Sequence, residues 1–234
     1  MLYSNIKEEF EKYARSRLPG FSEFRPCPDQ FVGVISVHNE VTENPQVNGE
    51  KCDFLVRVPV NDFIRSTSPC ILMILESPHV SEYSGISPRP AAGNGYGDTG
   101  RSIRELFGEV FDLHELLPHG NYPLIIINAI QFQCSLGDIK KHRDIMFTQC
   151  WVGLGRIDFA TRFKSIYRNG DVVVNACTAG GSRRKNEKRI RELVKSEIEV
   201  MVNAAFEVEH PCNWMRIRNK ALKQGVRPSY RWRS

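Results

Sequence analysis

No two of the seven cysteines in this 234-residue chain stand at C-x-x-C spacing. They are scattered at positions 27, 52, 70, 134, 150, 177 and 212, several within apolar runs where a reduced thiol packs as a small hydrophobe. Neither a zinc site nor a disulfide framework is expected, and no cofactor is implied. Long apolar stretches are missing as well. The longest, Cys70 to Leu75 and Leu124 to Ile127, fall far short of the ~20 residues that cross a bilayer. Met1 to Gly20 is charged and lacks an apolar signal core, so a cytoplasmic protein with no membrane partner is expected. There are no internal repeats, and a chain of this length buries roughly 70–75% of its unfolded surface in one substantial core. Residues 1–234 are read as a single domain, with no obligate protein partner evident.

Acid is absent from one end. Beyond Glu209 the chain has no aspartate or glutamate, while Arg216, Arg218, Lys220, Lys223, Arg227, Arg231 and Arg233 accumulate. A second basic cluster runs through Arg183-Arg184-Lys185 and Lys188-Arg189-Ile190-Arg191. The formal net charge is only +5, so it is the placement of the cations that points to a polyanionic partner. A solvated helix face followed by a frayed basic tail is the competing reading.

Apolar spacing and a stop at Gly20 predict an amphipathic helix over Ile6 to Leu18. Phe31 to His38 and Asp53 to Val60 read as strands, paired as a hairpin across polar turn material. From Cys70 the pattern alternates. Strands are expected at 70–75, 124–130, 171–177 and 205–209, and helices at 102–110, 144–164 and 186–202. Strand and helix in turn imply an α/β fold with a mostly parallel central sheet flanked by helices on both faces, preceded by the extra N-terminal helix and strands. In the 186–202 helix, Ile190, Leu193, Val194, Ile198 and Met201 mark the buried side and leave Arg184, Lys188, Arg191 and Lys195 facing outwards.

Open parallel sheets bind ligands outside the carboxyl ends of their strands. Those ends carry Glu76, Asn128, the Thr178 to Ser182 loop and His210. Glu76 follows an apolar strand and stands two residues before Pro78, which restricts Ser77 to extended backbone; a carboxylate so held aligns a water or opposes a developing sugar cation. A strand-end carboxylate capping the next helix is the alternative. Ser77 lacks the G-x-S-x-G context of a nucleophile. Asn128 puts an amide at the end of an isoleucine run, where it must be paired or read a ligand; an amide matches the Watson–Crick edge of a pyrimidine. Asn175 is a rival for that role. His210 ends a strand and is fixed by Pro211, so that its imidazole can support a base leaving as an anion. Trp214 is fit to fill the gap left by a flipped nucleotide, or to pack in the core.

Gly95-Tyr96-Gly97-Asp98-Thr99-Gly100 is formally G-x-G-x-x-G, but it follows a proline-rich segment and fails the strand context of a dinucleotide site. Its glycines let backbone approach a ligand, Tyr96 is available to stack on a base, and Asp98 is a spare carboxylate. His38-Asn39-Glu40 has the H-x-E of zinc deaminases without the P-C-x-x-C that must accompany it.

Leu75-Glu76-Ser77-Pro78-His79, Ile125-Ile126-Ile127-Asn128-Ala129 and His210-Pro211-Cys212-Asn213-Trp214 together resemble, in order, the motifs of the uracil-DNA glycosylase superfamily. These are a first-strand Gly-Gln-Asp-Pro-Tyr-His or Gly-Glu-x-Pro-Gly, an apolar strand ending in a base-reading Asn, and His-Pro-Ser-x-Leu. The resemblance spans about residues 70 to 218. It implies Glu76 and His210, with Asp98 as alternative water-positioning acid, as catalytic residues. Ser77, Pro78, Tyr96 and Asn128 are then assigned to substrate binding, and Arg183, Arg184, Lys185, Lys188, Trp214, Arg216 and Arg218 to DNA. The water-activating aspartate of the commonest branch corresponds to Ser77, and the cluster-binding cysteine pair of other branches is absent. The glycine-rich loop is compatible with a larger base, as in the branch that excises glucosylated hydroxymethylcytosine from phage DNA. The expected function is a monofunctional DNA glycosylase. Its rivals are a DNA-binding module without catalysis and an unrelated α/β nucleotide-binding hydrolase.

Overall fold

The computed structural model describes residues 7–8, 11–12, 14–15, 26–38, 41–47, 50–51, 58–60, 65, 68–83, 98–111, 113–134, 140–181 and 189–230. Its strands are β1 (Gln30–His38), β2 (Val41–Thr42), β3 (Gln46–Val47), β4 (Glu50–Lys51), β5 (Val58–Pro59), β6 (Ile71–Leu75), β7 (Gly120–Asn128), β8 (Val172–Asn175) and β9 (Phe206–Glu207). The helices are α1 (Asp98–Val110), α2 (Lys140–Cys150), α3 (Arg156–Ile166), α4 (Ile190–Met201) and α5 (Trp214–Lys223). Residues 7–8, 11–12 and 14–15 are helical, in keeping with the expected opening helix, and Ala14 is buried.

The class is α/β, but the sheet is mixed. Among the described residues nine strands form one sheet with the path β4-β3-β1-β7-β6-β8-β9, while β2 and β5 pair with β1. β7, β6, β8 and β9 are parallel; β1 is antiparallel to β7 and to all its other partners. The expectation of a mostly parallel sheet is corrected here for a simple reason. The two-residue connections from β1 to β2 and from β3 to β4 allow only antiparallel returns, and β3 continues in the direction of β2 along β1.

β7 belongs to both halves. Its first residues pair with β1, and β6 joins only from Leu124, opposite Ile71. Pro123 thus sits where β7 still has one free edge, the position a strand proline tolerates. The strand starts at Gly120, four residues before the apolar run begins, because Gly120 to Pro123 pair with β1; Gly-Asn-Tyr-Pro reads as a turn in sequence and hid that extension.

Alternation divides the core between the two faces. Leu72, Ile74, Ile125, Ile127 and Val173 pack with Phe147, Phe159, Val194 and Ile198 from α2, α3 and α4. Ile71, Met73, Leu75, Leu124, Ile126 and Val174 pack with Ile103 and Phe107 from α1 and with Trp214 at the start of α5. The single helix expected over 144–164 is two, α2 and α3, joined by a kink at Trp151–Gly155 where Gly153 leaves helical backbone at φ −70, ψ −120. Gly155 makes the kink possible, since a β-carbon there would lie 2.3 Å from Ile130 Cδ1 and 2.6 Å from the Cys150 carbonyl oxygen.

A buried ionic knot fixes the end of β7. Arg162 on α3 donates from Nη1 to Asp29 at 2.6 Å, from Nε to Asp158 at 2.7 Å and from Nη2 to the Asn128 carbonyl at 3.0 Å. Asp29 in turn accepts from the Asn128 N–H at 3.3 Å. Burial pushes the Asp29 carboxyl up from its usual range, and Arg162 works against that shift. Arg162→Met leaves the buried Asp29 unpaired and is expected to destabilise the fold by about 3–5 kcal/mol, readable by urea unfolding. A loss under about 1 kcal/mol would mean that the knot carries no structure.

Candidate active site

Glu76 stands at the topological switch point of the parallel half. β6 is followed in the chain by β7 on one side, then by β8 and β9 on the other, so the crossovers diverge at the carboxyl end of β6. Glu76 comes directly after that end and is 6% exposed. Its Oε2 accepts from the Thr178 N–H at 3.0 Å and lies 3.4 Å from His210 Nε2; Oε1 is 3.9 Å from Arg143 Nη1. Two of the three groups expected to converge, the carboxylate and the imidazole, are therefore in direct contact.

His210 is buried, and its Nδ1 accepts from the Cys212 N–H at 3.2 Å. That bond places the ring hydrogen on Nε2, aimed at Glu76. Burial, the largest single influence, depresses the imidazole's affinity for a proton, but the Glu76 charge and the neighbouring Cys212 together outweigh it and the group is pushed from 6.5 up to about 9. Charging the ring costs the acceptor at Nδ1, so the imidazolium must release the Cys212 N–H. Because the folded value lies above the unfolded one, this pair's contribution is complete below about pH 6.5 and is lost as pH rises through about 9. Raising the pH from 6.5 to 9.5 is expected to lower unfolding free energy by at most about 3 kcal/mol, and His210→Gln should remove that dependence. An equal slope in both proteins, measured by denaturant titration, would refute the assignment.

Asn128 is the last residue of β7, in register with Leu75. It is 1% exposed, and its Nδ2 has no hydrogen-bond partner among the described residues. Alternation from Ile126 sets its side chain on the α1 face of the sheet. The rival amide is different. Asn175 donates from Nδ2 to the Arg191 carbonyl at 3.1 Å and accepts at Oδ1 from the Cys177 N–H at 3.2 Å, so both ends are occupied by backbone. Of the two, Asn128 alone has a buried donor without a partner among the described residues. Ser77 Oγ is also buried, within reach of the Cys134 thiol, and Pro78 is buried next to it.

Other expectations fare unevenly. Trp214 is corrected: it is fully buried, its indole N–H donates to the Glu209 carbonyl at 2.6 Å, and it packs edge-on against Phe111 and Tyr230. A ring so enclosed is a core residue, not a wedge. Arg218 is held 3.1 Å from Glu109, which also accepts from the Tyr230 hydroxyl, whereas Arg216 is exposed. Arg191, expected to face outwards, turns in and donates to the Cys177 carbonyl at 2.8 Å. Asp98 opens α1, four residues earlier than the helix expected from Ser102, and its side chain is outside the described residues. Tyr96, Arg183, Arg184, Lys185 and Lys188 lie outside them altogether.

Sequence reading missed Arg143 and the Thr178 N–H. Arg143 also chelates Asp144 Oδ1 at 2.6 Å, and Asp144 Oδ2 accepts from the Gly181 N–H at 2.7 Å, which ties α2 to the loop after β8. A run of Lys140, Lys141, His142 and Arg143 was the only signal, and it did not single out one cation. No helix among the described residues is long and apolar enough to cross a membrane. The chain matches no family model, no curated protein and no solved structure.

Proposed function

We propose that this protein is a DNA glycosylase: a monofunctional N-glycosyl hydrolase that turns a pyrimidine out of duplex DNA, cleaves its C1'–N bond and leaves an abasic site. The proposal includes a uracil-DNA glycosylase-like sheet as its scaffold, DNA as partner, the cytoplasm as location, and uracil or a modified cytosine as the base. Glucosylated hydroxymethylcytosine is the member of that class that would make the protein an antiviral enzyme. The observation that carries it is the unpartnered, buried Nδ2 of Asn128 on the strand next to the Glu76–His210 pair. An unsatisfied buried donor costs about 1–3 kcal/mol, a cost that a ligand acceptor would remove.

In this reading Asn128 holds the edge of the extruded base. His210 and Glu76 are already in contact at 3.4 Å, longer than a good hydrogen bond, and an entering nucleotide would part them. His210 Nε2–H would then face the departing base and support its negative charge. Glu76, still anchored by the Thr178 N–H, would face the sugar as its oxocarbenium character grows. Water supplies hydroxide to C1', and its proton passes to Glu76 or Asp98.

The test is incubation with duplexes carrying uracil, hydroxymethylcytosine or its glucosylated form, with mass spectrometry of the released base. Asn128→Leu is expected to cut release about 100-fold. It should leave stability unchanged or raise it by about 1 kcal/mol, because an orphan donor is removed. Loss of stability with full activity would show that Asn128 serves the core. Tight DNA binding with no base released from any duplex would favour the binding module instead.

A further inference from the structure

Four cations near the C-terminus have no carboxylate within ion-pair distance among the described residues: Arg216, Lys220, Lys223 and Arg227. Other cations are engaged. Arg65, Arg143, Arg162, Arg191, Lys195 and Arg218 each have an acid partner. The unbalanced charge is concentrated on α5 and shaped by it. Arg216 and Lys220 form a crest between two cavities of about 520 Å³ each. One is lined by Cys212, Met215, Asn219 and Lys223 besides the crest, with no acid; the other includes Glu209.

We infer that the groove from Cys212 to Lys223 is the track for one DNA strand, with Arg216, Lys220 and Lys223 on successive phosphates and Asn219 as a neutral donor between them. This deepens the glycosylase reading and rests on it for the identity of the polyanion. Spacing supports the match. The three cations span seven residues, hence about 10 Å of helix axis, and one strand of a duplex presents about three phosphates over that length. The chain also links groove and site directly. His210 leads through the turn Pro211–Asn213 into α5, so the groove begins at Cys212, two residues along the chain from the imidazole. Met215 offers the groove a soft apolar contact for sugars. Arg218 shares the helix but is engaged by Glu109, and is assigned to the fold and not to the track.

The experiment is fluorescence anisotropy of a labelled undamaged duplex of about 20 base pairs across a salt series. It compares the wild type, the triple variant Arg216→Ala/Lys220→Ala/Lys223→Ala, and a charge-matched control, Lys7→Ala/Arg156→Ala/Lys164→Ala. Circular dichroism first establishes that each is folded. The groove variant should bind at least 10-fold more weakly near 0.15 M salt, with a log–log salt slope shallower by about 2 to 3, and the control should change little. Equal weakening of both variants, an unchanged groove variant, or no wild-type binding at low salt would each overturn the assignment. So would displacement by polyaspartate as ready as by DNA, which would make the occupant an acidic protein. Base release is scored separately. A groove variant that loses DNA while the wild type releases no base upholds the track and sinks the catalytic reading; full wild-type release with no loss in the variant does the opposite.

Discussion

Replacing Glu76 with glutamine is expected to lower base release at least about 100-fold while leaving the fold intact. The carboxylate is the only acid within ion-pair distance of His210 among the described residues, and against the downward pull of burial it is the largest of the influences that lift that imidazole to about 9. With the charge gone, burial and the neighbouring Arg143 act downwards against Cys212 alone, so the ring should titrate well below its wild-type value. Glutamine keeps a carbonyl oxygen for the Thr178 N–H, so the strand end should hold its place. Two measurements decide the matter: single-turnover release, and the pH dependence of the His210 ring resonances by NMR. If the ring still titrates near 9, Glu76 is not what charges it; if release is undiminished, the pair is structural.

Trp214→Ala is expected to cost about 3–5 kcal/mol and to lower the melting temperature by on the order of 10 °C. The indole is wholly buried, and its removal strips Phe111 and Tyr230 of a shared neighbour and leaves the Glu209 carbonyl without its donor. DNA affinity of the folded fraction should hardly move. A stable variant with sharply weaker binding would restore the wedge. The contrast with Asn128→Leu is informative, because one substitution should hurt the fold and spare function while the other does the reverse.

The parallel half of the sheet was legible because buried parallel strands are near-continuous apolar runs, and Ile71–Leu75 and Val172–Asn175 have little else. The buried side of α4 followed from three- and four-residue spacing: Ile190, Val194 and Ile198 are buried, while Leu193 and Met201 pack beside them. The antiparallel half was not legible, since β2, β3 and β4 have two residues each and no period can be read in two. α5 was hidden by its cations. Trp214, Ile217 and Ala221 mark its inner face, but the run between them reads as a basic tail. Within the site, residue type pointed to Glu76, Asn128 and His210, yet nothing in the sequence says that the acid and the imidazole touch. Nor can it announce the Thr178 N–H, because a backbone donor is the same at every residue but proline.

The ionic knot beneath β7 bears on how base choice would be altered. Asn128 is oriented by a carboxylate 99 residues before it and a guanidinium 34 residues after it, both gripping its main chain and not its side chain. Libraries restricted to pocket walls would leave that lever untouched. Asp29→Glu or Arg162→Lys would, on the proposed reading, reposition the Asn128 amide slightly without changing any atom proposed to meet the base.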